Sequence, residues 1–377
     1  MKYKNMISLL DEFNISNVLS MIKFKCDKLI LLSNDIKKDE IEKSLQNQFK
    51  DYNLNINIEI FSIEKLNHIE IKDIIKKYDK KTTIANLTIG NRYLSLLLSK
   101  LCMELGMRTV YVNMDSEEII FLDNMEKIGI KDCSLEIEDF VKGSGSVMIE
   151  ESSKIFEDEG IREFTEYILH NHDKWKEVSS YFKNTNIVEQ NFMIKENIKV
   201  KLGGLDIDEQ KKIKDICECI SKFKLGSTEF NSSKNIIINF KNSNFKSFMF
   251  KSGTWLEVLV YSILKEMKNV EDVKGGLVFA WEKQAIEVKN EVDVVAANDS
   301  KLIYISCKDT NKYDSQALNE IQVYAEKLGG EKVEKILVAT QEPEKKTMIE
   351  RASEMGINLI IFDGDINKLR NSLKNLI

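Results

Sequence analysis

The most constraining feature of this 377-residue sequence is an alternation of short apolar runs with longer amphipathic stretches, from Met1 to about Val147. The run Leu29-Ile30-Leu31-Leu32 contains no polar residue, so a strand formed there must be buried on both faces. Such strands, separated by helices, are typical of a doubly wound parallel sheet. We therefore predict an α/β domain over residues 1–147. Its predicted strands are Met6–Leu10, Lys28–Ser33, Asn55–Phe61, Thr82–Asn86 and Thr109–Val112, and its predicted helices are Asn14–Phe24, Lys38–Phe49, Glu70–Tyr78 and Arg92–Leu105.

A second zone, residues 148–245, follows the segment Gly143-Ser144-Gly145-Ser146, which we interpret as a loop or linker. The spacing of apolar residues predicts a mainly helical connector with one strand near its end. His170-Asn171-His172 does not predict a metal site, because residues i and i+2 do not share a helix face. The predicted helices are Glu151–Phe156, Ile161–His170, Lys174–Phe182 and Glu209–Phe223, and the predicted strand is Asn235–Phe240.

The order of elements changes in the third zone, residues 246–377. Apolar periodicity there predicts a helix, three strands, a helix, a strand, a helix and a last strand. This order begins as α-β-β-β-α-β and is specific enough to interpret. The predicted elements are Gly253–Lys268, Leu277–Trp281, Glu291–Ala297, Lys301–Lys308, Ser315–Leu328, Lys335–Ala339, Lys345–Met355 and Asn358–Phe362.

Three chemically important residues lie on the first elements of this third zone. Glu257 lies in the first helix, Asp293 at the start of the middle strand and Lys308 at the end of the next strand. A hairpin between those two strands can bring Asp293 close to Lys308. Carboxylates gather a divalent cation that polarises a phosphodiester, and a lysine orients water or neutralises developing charge. Oxygen ligands favour Mg²⁺ or Mn²⁺.

This pattern resembles the PD-(D/E)XK nuclease superfamily, whose core is a helix followed by three strands carrying Glu, Asp and (D/E)-X-Lys. The resemblance implies that Glu257, Asp293 and Lys308 are catalytic and that Glu257 and Asp293 bind the metal. Ser306 stands where the superfamily usually has an acid. The metal site would then rely on Asp293, Glu257 and a backbone carbonyl near Cys307, and Glu320 on the following helix is a further candidate.

A second constellation lies between the fourth strand and fourth helix of the N-terminal domain. Thr88-Ile89-Gly90-Asn91-Arg92 is a short polar loop that leads into a helix N-terminus, where free N–H groups bind anions. Gly90 permits close backbone approach, and Arg92 provides a planar fork suited to phosphate. The alternative is that this loop only caps the helix. In a parallel sheet, the loops after the first two strands, Asp11–Asn14 and Ser33–Asp35, should flank the same crevice.

Both ends of the chain together resemble the CRISPR-associated CARF-domain nucleases. That resemblance rests on Leu9–Phe24, the loop Asn86–Arg92 and the set of Glu257, Asp293 and Lys308. It implies a Rossmann-like CARF domain, a homodimer, and activation by cyclic oligoadenylate (cyclic tetra-adenylate by family resemblance) in type III CRISPR antiviral defence. The residues expected to bind that ligand are Asp11, Phe13, Asn14, Ser33, Asn34, Asn86, Thr88, Ile89, Gly90, Asn91 and Arg92.

Composition disfavours some classes of protein for this chain. The formal net charge of −6 argues against a protein that coats nucleic acid stoichiometrically, although a nuclease needs only a local basic path. No stretch approaches the ~20 apolar residues of a membrane span. The six scattered cysteines form no disulfide or CxxC pattern, which favours a reducing cytoplasm. The expected substrate is DNA, RNA or both, single-stranded, with little sequence specificity.

Two other function classes remain open from sequence. One is a cyclic-nucleotide sensor whose nuclease fold has lost activity, an interpretation raised by Ser306. The other is a regulator whose connector binds duplex DNA, which the lack of a basic recognition helix disfavours.

Overall fold

The computed structural model of this chain describes residues 2–11, 13–33, 38–63, 67–131, 133–190, 195–232, 234–251, 253–282 and 287–377. Within them, no helix is both long enough and apolar enough to cross a membrane.

The N-terminal domain is built on a seven-stranded sheet with helices on both faces. Its strands are β1 Asn5–Leu9, β2 Lys28–Ser33, β3 Asn57–Ser62, β4 Thr83–Asn86, β5 Arg108–Asn113, β6 Glu118–Phe121 and β7 Lys127–Gly129, and its helices are α1 Ile15–Phe24, α2 Lys38–Asp51, α3 His68–Ile75, α4 Arg92–Leu105 and α5 Ile137–Gly143. The strand order is β3-β2-β1-β4-β5-β6-β7, parallel through β5 and antiparallel at β6 and β7. The predicted doubly wound sheet is confirmed, and β6, β7 and α5 extend it.

The segment Gly143–Ser146 forms a turn as predicted, but it is buried. Ser144 and Ser146 are almost fully buried, and the Ser144 hydroxyl donates to the Ser146 hydroxyl at 3.0 Å. The next strand, β8 Val147–Glu150, pairs antiparallel with a strand of the C-terminal domain. This segment is therefore a packed joint between domains rather than a free linker.

The connector combines helices with an antiparallel sheet. Its helices are α6 Ser153–Phe156, α7 Glu159–His170, α8 His172–Phe182 and α9 Ile207–Lys222, and its strands are β9 Val188–Gln190, β10 Asn197–Lys201, β11 Gly226–Ser232 and β12 Asn235–Phe240. The sheet order is β11-β12-β10-β9. The four helices and β12 were predicted, whereas the other three strands were missed, so "mainly helical" understates the sheet.

The C-terminal domain has the predicted element order around a mixed sheet. Its elements are α10 Ser243–Phe250, α11 Thr254–Lys265, β13 Asp272–Ala280, β14 Asn290–Asn298, β15 Lys301–Lys308, α12 Ser315–Gly329, β16 Glu334–Ala339, α13 Thr347–Glu354, β17 Ile357–Ile361 and α14 Ile366–Leu376. The sheet order is β17-β16-β15-β14-β13-β8, antiparallel from β8 to β15 and parallel beyond. The additions to the prediction are β8, α10 and α14.

The hydrophobic cores cross the domain borders. One buried cluster joins the connector to α11 and one face of the C-terminal sheet. Another joins α1 and α5 of the N-terminal domain to the other face, through side chains such as Phe140 and Leu318. Polar contacts reinforce this second border: Lys332 Nζ lies 2.6 Å from Asp115 Oδ2, and the Ile137 amide donates to the Asp272 carboxylate at 3.1 Å. The N-terminal and C-terminal domains therefore meet through a packed interface.

Candidate functional site

Asp293 is the centre of the site that the C-terminal domain builds. Its Oδ2 atom accepts hydrogen bonds from the Ser306 hydroxyl at 3.0 Å and from the Cys307 amide at 2.7 Å. Lys308 Nζ lies 3.6 Å from the same oxygen. These contacts exist because β14 and β15 pair at Val294 and Ile305 and then part, which leaves Asp293 facing the end of β15. The hairpin thus brings Asp293 and Lys308 together, as their spacing in the sequence predicts.

Glu257 enters the site from α11. Its neighbours Leu256 and Val258 are fully buried, so the helix that carries Glu257 is fixed against the sheet. Burial raises the pKa of Glu257 to about 8, and the negative charges of Asp293 and Glu291 add to that increase. A site that repels its own second carboxylate in this way is suited to bind a cation.

Lys308 and Cys307 differ in chemical state. Burial alone would lower the pKa of Lys308, but the charges of Asp293 and Glu257 outweigh it and raise that pKa, so the lysine is a cation. The pKa of the Cys307 thiol is raised well above its usual value by burial and by Asp293. The thiol is therefore a buried apolar group rather than a nucleophile.

A divalent cation fits the oxygen atoms of this site. In the described part of the chain, no cluster of three or more His, Cys, Asp and Glu side chains is arranged to hold a metal. Two carboxylates, Glu257 and Asp293, are nevertheless electrostatically coupled. In a strand the N–H and C=O of one residue point to the same side, so the carbonyl of Cys307 faces the side of Asp293 that its amide contacts. This donor set consists of hard oxygens, which Mg²⁺ and Mn²⁺ prefer.

Two other acidic residues differ in their relation to this site. Glu320, a further candidate from sequence, is exposed on α12 and accepts a hydrogen bond from the Gln316 amide at 3.1 Å. Glu291, which was not singled out from sequence, lies 3.3 Å from Lys251 Nζ and contributes to the raised pKa of Glu257. Its position two residues before Asp293 on β14 could have identified Glu291 from the sequence.

The second site lies at the carboxyl ends of β1 and β4. The amide of Gly90 donates to Asp11 Oδ2 at 2.9 Å, which ties together two of the predicted ligand loops. Gly90 has a φ of +97°, and a Cβ atom there would lie 2.4 Å from Leu9 Cδ1. Glycine is thus required both by the backbone conformation and by the packing.

The polar residues beneath these loops form a buried network. Asn86 donates to Asn17 Oδ1 at 3.0 Å, and its own Oδ1 accepts from the Thr88 amide at 3.1 Å. Thr88 in turn accepts from the Val112 amide at 2.8 Å through its hydroxyl. Asn86 and Asn14 are 0% and 1% exposed, so they shape the loops from below. Asn17 was missed because an asparagine inside a helical pattern carries no periodic signal.

The remaining predicted ligand residues occupy several environments. Ile89 is half-buried, while Asn91 caps α4 by accepting from the Tyr93 amide at 2.9 Å. Arg92 is exposed at the first turn of α4, and Ser33 is buried at the end of β2. Asn34 lies outside the described residues.

Phe13 occupies a different position from the other predicted ligand residues. It packs against the hydrophobic cluster that the N-terminal and C-terminal domains share, and its ring lies against Gly330 at the end of α12. The predicted ligand loop therefore contacts the C-terminal domain directly.

The fold and the C-terminal site define a two-part protein, in which a Rossmann-like α/β domain precedes a domain of the endonuclease type. Residues 246–377 match the family model described as "Card1-like, endonuclease domain". This part of the chain is therefore an endonuclease-family domain, which supports nuclease activity. The predicted α/β architecture is confirmed as well.

Solved structures share this fold over most of the chain. Protein VC1899 from Vibrio cholerae matches with a TM-score of 0.75 and 18% identity, covering 98% of this chain and 97% of that one. Can2 from Sulfobacillus thermosulfidooxidans, solved with cyclic tetra-adenylate, matches with a TM-score of 0.70 and 16% identity, covering 100% and 97%. A type III CRISPR defence DNA nuclease activated by cyclic oligoadenylate matches with a TM-score of 0.54 and 13% identity, covering 94% of this chain and 52% of that one. No curated protein matches the sequence significantly.

Proposed function

We propose that this protein is a metal-dependent nuclease of type III CRISPR antiviral defence, activated in the cytoplasm by cyclic oligoadenylate. The observation that carries the proposal is the convergence of Ser306, Cys307 and Lys308 on Asp293, beside Glu257, within an endonuclease domain. The activator we propose is cyclic tetra-adenylate, the ligand with which Can2 was solved. The proposed substrate is single-stranded DNA, RNA or both, cut with little sequence specificity.

In the proposed mechanism Glu257, Asp293 and the Cys307 carbonyl would hold Mn²⁺ or Mg²⁺. When bound, the cation polarises the phosphodiester and lowers the pKa of the attacking water. Lys308 is already a cation, so it stabilises the negative charge that develops on phosphate oxygen rather than removing a proton. Ser306 and the Cys307 amide hold Asp293 Oδ2, so Oδ1 would be the carboxylate oxygen available to a cation.

The proposed activator site consists of the loops around Gly90 and Asp11. The first turn of α4 presents N–H groups and Arg92 to an anion. Beneath the loops, the hydroxyl of Ser16 is buried and has no hydrogen-bond partner in the described parts of the chain. A buried hydroxyl without a partner is costly, and a ligand at the start of α1 would satisfy it.

We also propose that the chain forms a homodimer through α4. Tyr93, Leu96 and Met103 lie on one side of this helix and are 55%, 66% and 72% exposed. Large apolar side chains grouped on an exposed helix face mark an interaction surface. Because α4 begins at the activator loop, a two-fold axis at this helix would bring two loops towards one symmetric ring.

Substitution of Asp293 tests the nuclease half of the proposal. Asp293→Asn keeps an acceptor for Ser306 and Cys307 but removes the charge that a cation requires. With Mn²⁺ and the activator, we expect it to abolish cutting of labelled single-stranded DNA and RNA. Glu320→Gln, at an exposed carboxylate on α12, should cut like wild type. If Asp293→Asn cuts normally, this site is not the nuclease site.

Calorimetric binding of cyclic tetra-adenylate tests the sensor half. Arg92→Gln removes one charge-assisted contact and should weaken binding by roughly 10-fold. Lys81→Gln removes an exposed cation that precedes β4, at the other end of that strand from the loop, and should bind like wild type. Equal affinities for all three proteins would place the ligand elsewhere.

A binding protein with an inactive nuclease fold is the second candidate function, and Ser306 favours it. A serine is a weaker metal ligand than the acid usually found there. If wild type is inert with every divalent metal while still binding the activator, Ser306→Glu should create cutting where the size-matched Ser306→Gln does not. If wild type itself cuts with the activator, this second candidate is excluded.

A further inference from the structure

Immediately after Lys308, Asp309 forms a buried polar centre that the proposed chemistry does not use. Its side chain is only 3% exposed. Oδ1 accepts from His172 Nε2 and from the Thr340 hydroxyl, both at 2.8 Å. Oδ2 accepts from Trp255 Nε1 at 2.9 Å.

The three donors come from three different parts of the fold. His172 begins α8 of the connector, Trp255 lies in the first turn of α11, and Thr340 follows β16. The rings of His172 and Trp255 also pack together, with centroids 5.1 Å apart. Asp309 therefore joins the connector, the first helix of the endonuclease domain and the end of its sheet.

Two residues of this network lie close in sequence to the site residues. Trp255 is two residues before Glu257 on the same helix, and Asp309 directly follows Lys308. The Thr340 amide also donates to the Lys308 carbonyl at 3.1 Å. One buried carboxylate thus fixes the separation between the helix that carries Glu257 and the strand end that carries Lys308.

We propose that Asp309 is a positioning residue of the nuclease site, and that His172 extends this control to the connector. The inference rests on the proposed function of that site. Residues that orient a metal ligand typically change metal affinity or activity by roughly 10- to 100-fold when lost. Misplacement of a reacting group by about 1 Å has a similar effect.

Conservative variants separate positioning from folding. Thr340→Val removes only the hydroxyl and Asp309→Asn removes the charge, whereas Trp255→Phe removes the indole N–H together with part of the buried ring system. Each should lower kcat by roughly 10- to 100-fold and weaken Mn²⁺ binding, measured by calorimetry without substrate, by about 10-fold. The KM for labelled single-stranded substrate should stay within about twofold, because the substrate-binding surface is untouched.

Tyr261→Phe is the matched control. Tyr261 lies on the same helix, and its hydroxyl donates to Glu157 of the connector at 2.7 Å, so its removal also breaks a polar contact between connector and endonuclease domain. A purely structural role predicts equal losses for Tyr261→Phe and Thr340→Val, which each remove one hydroxyl, in kcat and in Mn²⁺ affinity, and that result would overturn the proposal. The positioning role predicts losses only for the Asp309 network.

The connector's part is tested with His172→Phe, which keeps a ring against Trp255 but loses the donor. It should reproduce the loss of kcat and of Mn²⁺ affinity, and combined with Asp309→Asn it should add little, because the two act as one unit. Wild-type kinetics and Mn²⁺ binding in both Asp309→Asn and His172→Phe would refute the inference. Full activity of Asp293→Asn would instead mean that the proposed nuclease site is wrong.

Discussion

Glu257 gives the endonuclease domain a measurable dependence on pH. The pKa of this carboxyl is raised to about 8, so the folded, metal-free chain binds its proton more tightly than the unfolded chain. The corresponding contribution to stability is complete at low pH and is lost as pH rises through about 8. Ionisation of Glu257 therefore favours metal binding but destabilises the folded chain when no metal is bound.

We predict that Glu257→Gln raises the melting temperature of the metal-free protein more at about pH 9 than at about pH 5, because glutamine cannot ionise. The same variant should no longer cut. The measurement is thermal unfolding in EDTA at both pH values. Glu320→Gln, at an exposed carboxylate on α12, should shift the melting temperature equally at both. A pH-independent shift for Glu257→Gln would contradict the account.

Individual site residues were predictable where chemistry and spacing coincide. Asp293 and Lys308 were paired correctly because a short hairpin joins their strands. The Asp309 network was not predicted, because its His172 contact joins residues 137 positions apart and neither residue has a motif. Asn86 was predicted as a ligand residue, yet its complete burial makes it a support for the loop.

Helix α12 connects the candidate ligand loop to the nuclease site. Gly330 caps this helix with a φ of +71°, and a Cβ atom there would lie 2.7 Å from Phe13 Cδ1. Phe13 is two residues from Asp11, and α12 packs on β15, which ends at Lys308. A shift of the loop on ligand binding would therefore reach the strand that carries Lys308.

We predict that Gly330→Ala lowers the activation ratio, defined as the cutting rate with cyclic tetra-adenylate divided by the rate without it. The added methyl group displaces Phe13 from the end of α12. Gly356→Ala is the control, since its φ of +64° imposes similar backbone strain while the nearest atom, Lys335 Nζ, is 4.0 Å away. Equal activation ratios for the two variants would contradict a connection from the ligand loop through Phe13 and α12 to the nuclease site.

Sequence periodicity predicted the long elements and missed short ones. The bounds of β2, α4, β12 and β15 were predicted correctly, because their apolar runs or stripes are continuous. Strands such as β9 and β7 have only three residues, too few to show a period. Strand β10 alternates Ile198 and Val200 with polar residues, a period-2 signal that the helical context of the connector obscured.

At the scale of the whole molecule, the domains share hydrophobic clusters, so a movement of one domain changes the packing of the next. The domain order and α/β class were predictable from sequence. That β8 completes the C-terminal sheet was not, because pairing between distant segments leaves no local pattern. The proposed dimer face of α4 belongs to this scale as well.

We predict that wild type has twice the mass of one chain in light scattering after size-exclusion chromatography. Leu96→Glu places a charge in the proposed interface and should give a monomer with weakened cyclic tetra-adenylate binding. Met125→Glu, at another exposed apolar residue of the same domain, should remain a dimer. A monomeric wild type, or a dimeric Leu96→Glu variant, would contradict the interface.

The most direct test of the sensor–nuclease proposal combines activator and site in one assay. Labelled single-stranded DNA and RNA are incubated with Mn²⁺, with and without cyclic tetra-adenylate, using wild type and Asp293→Asn. We expect cutting only by wild type and only with the activator. Cutting by Asp293→Asn, or wild-type cutting that ignores the activator, would contradict the proposal.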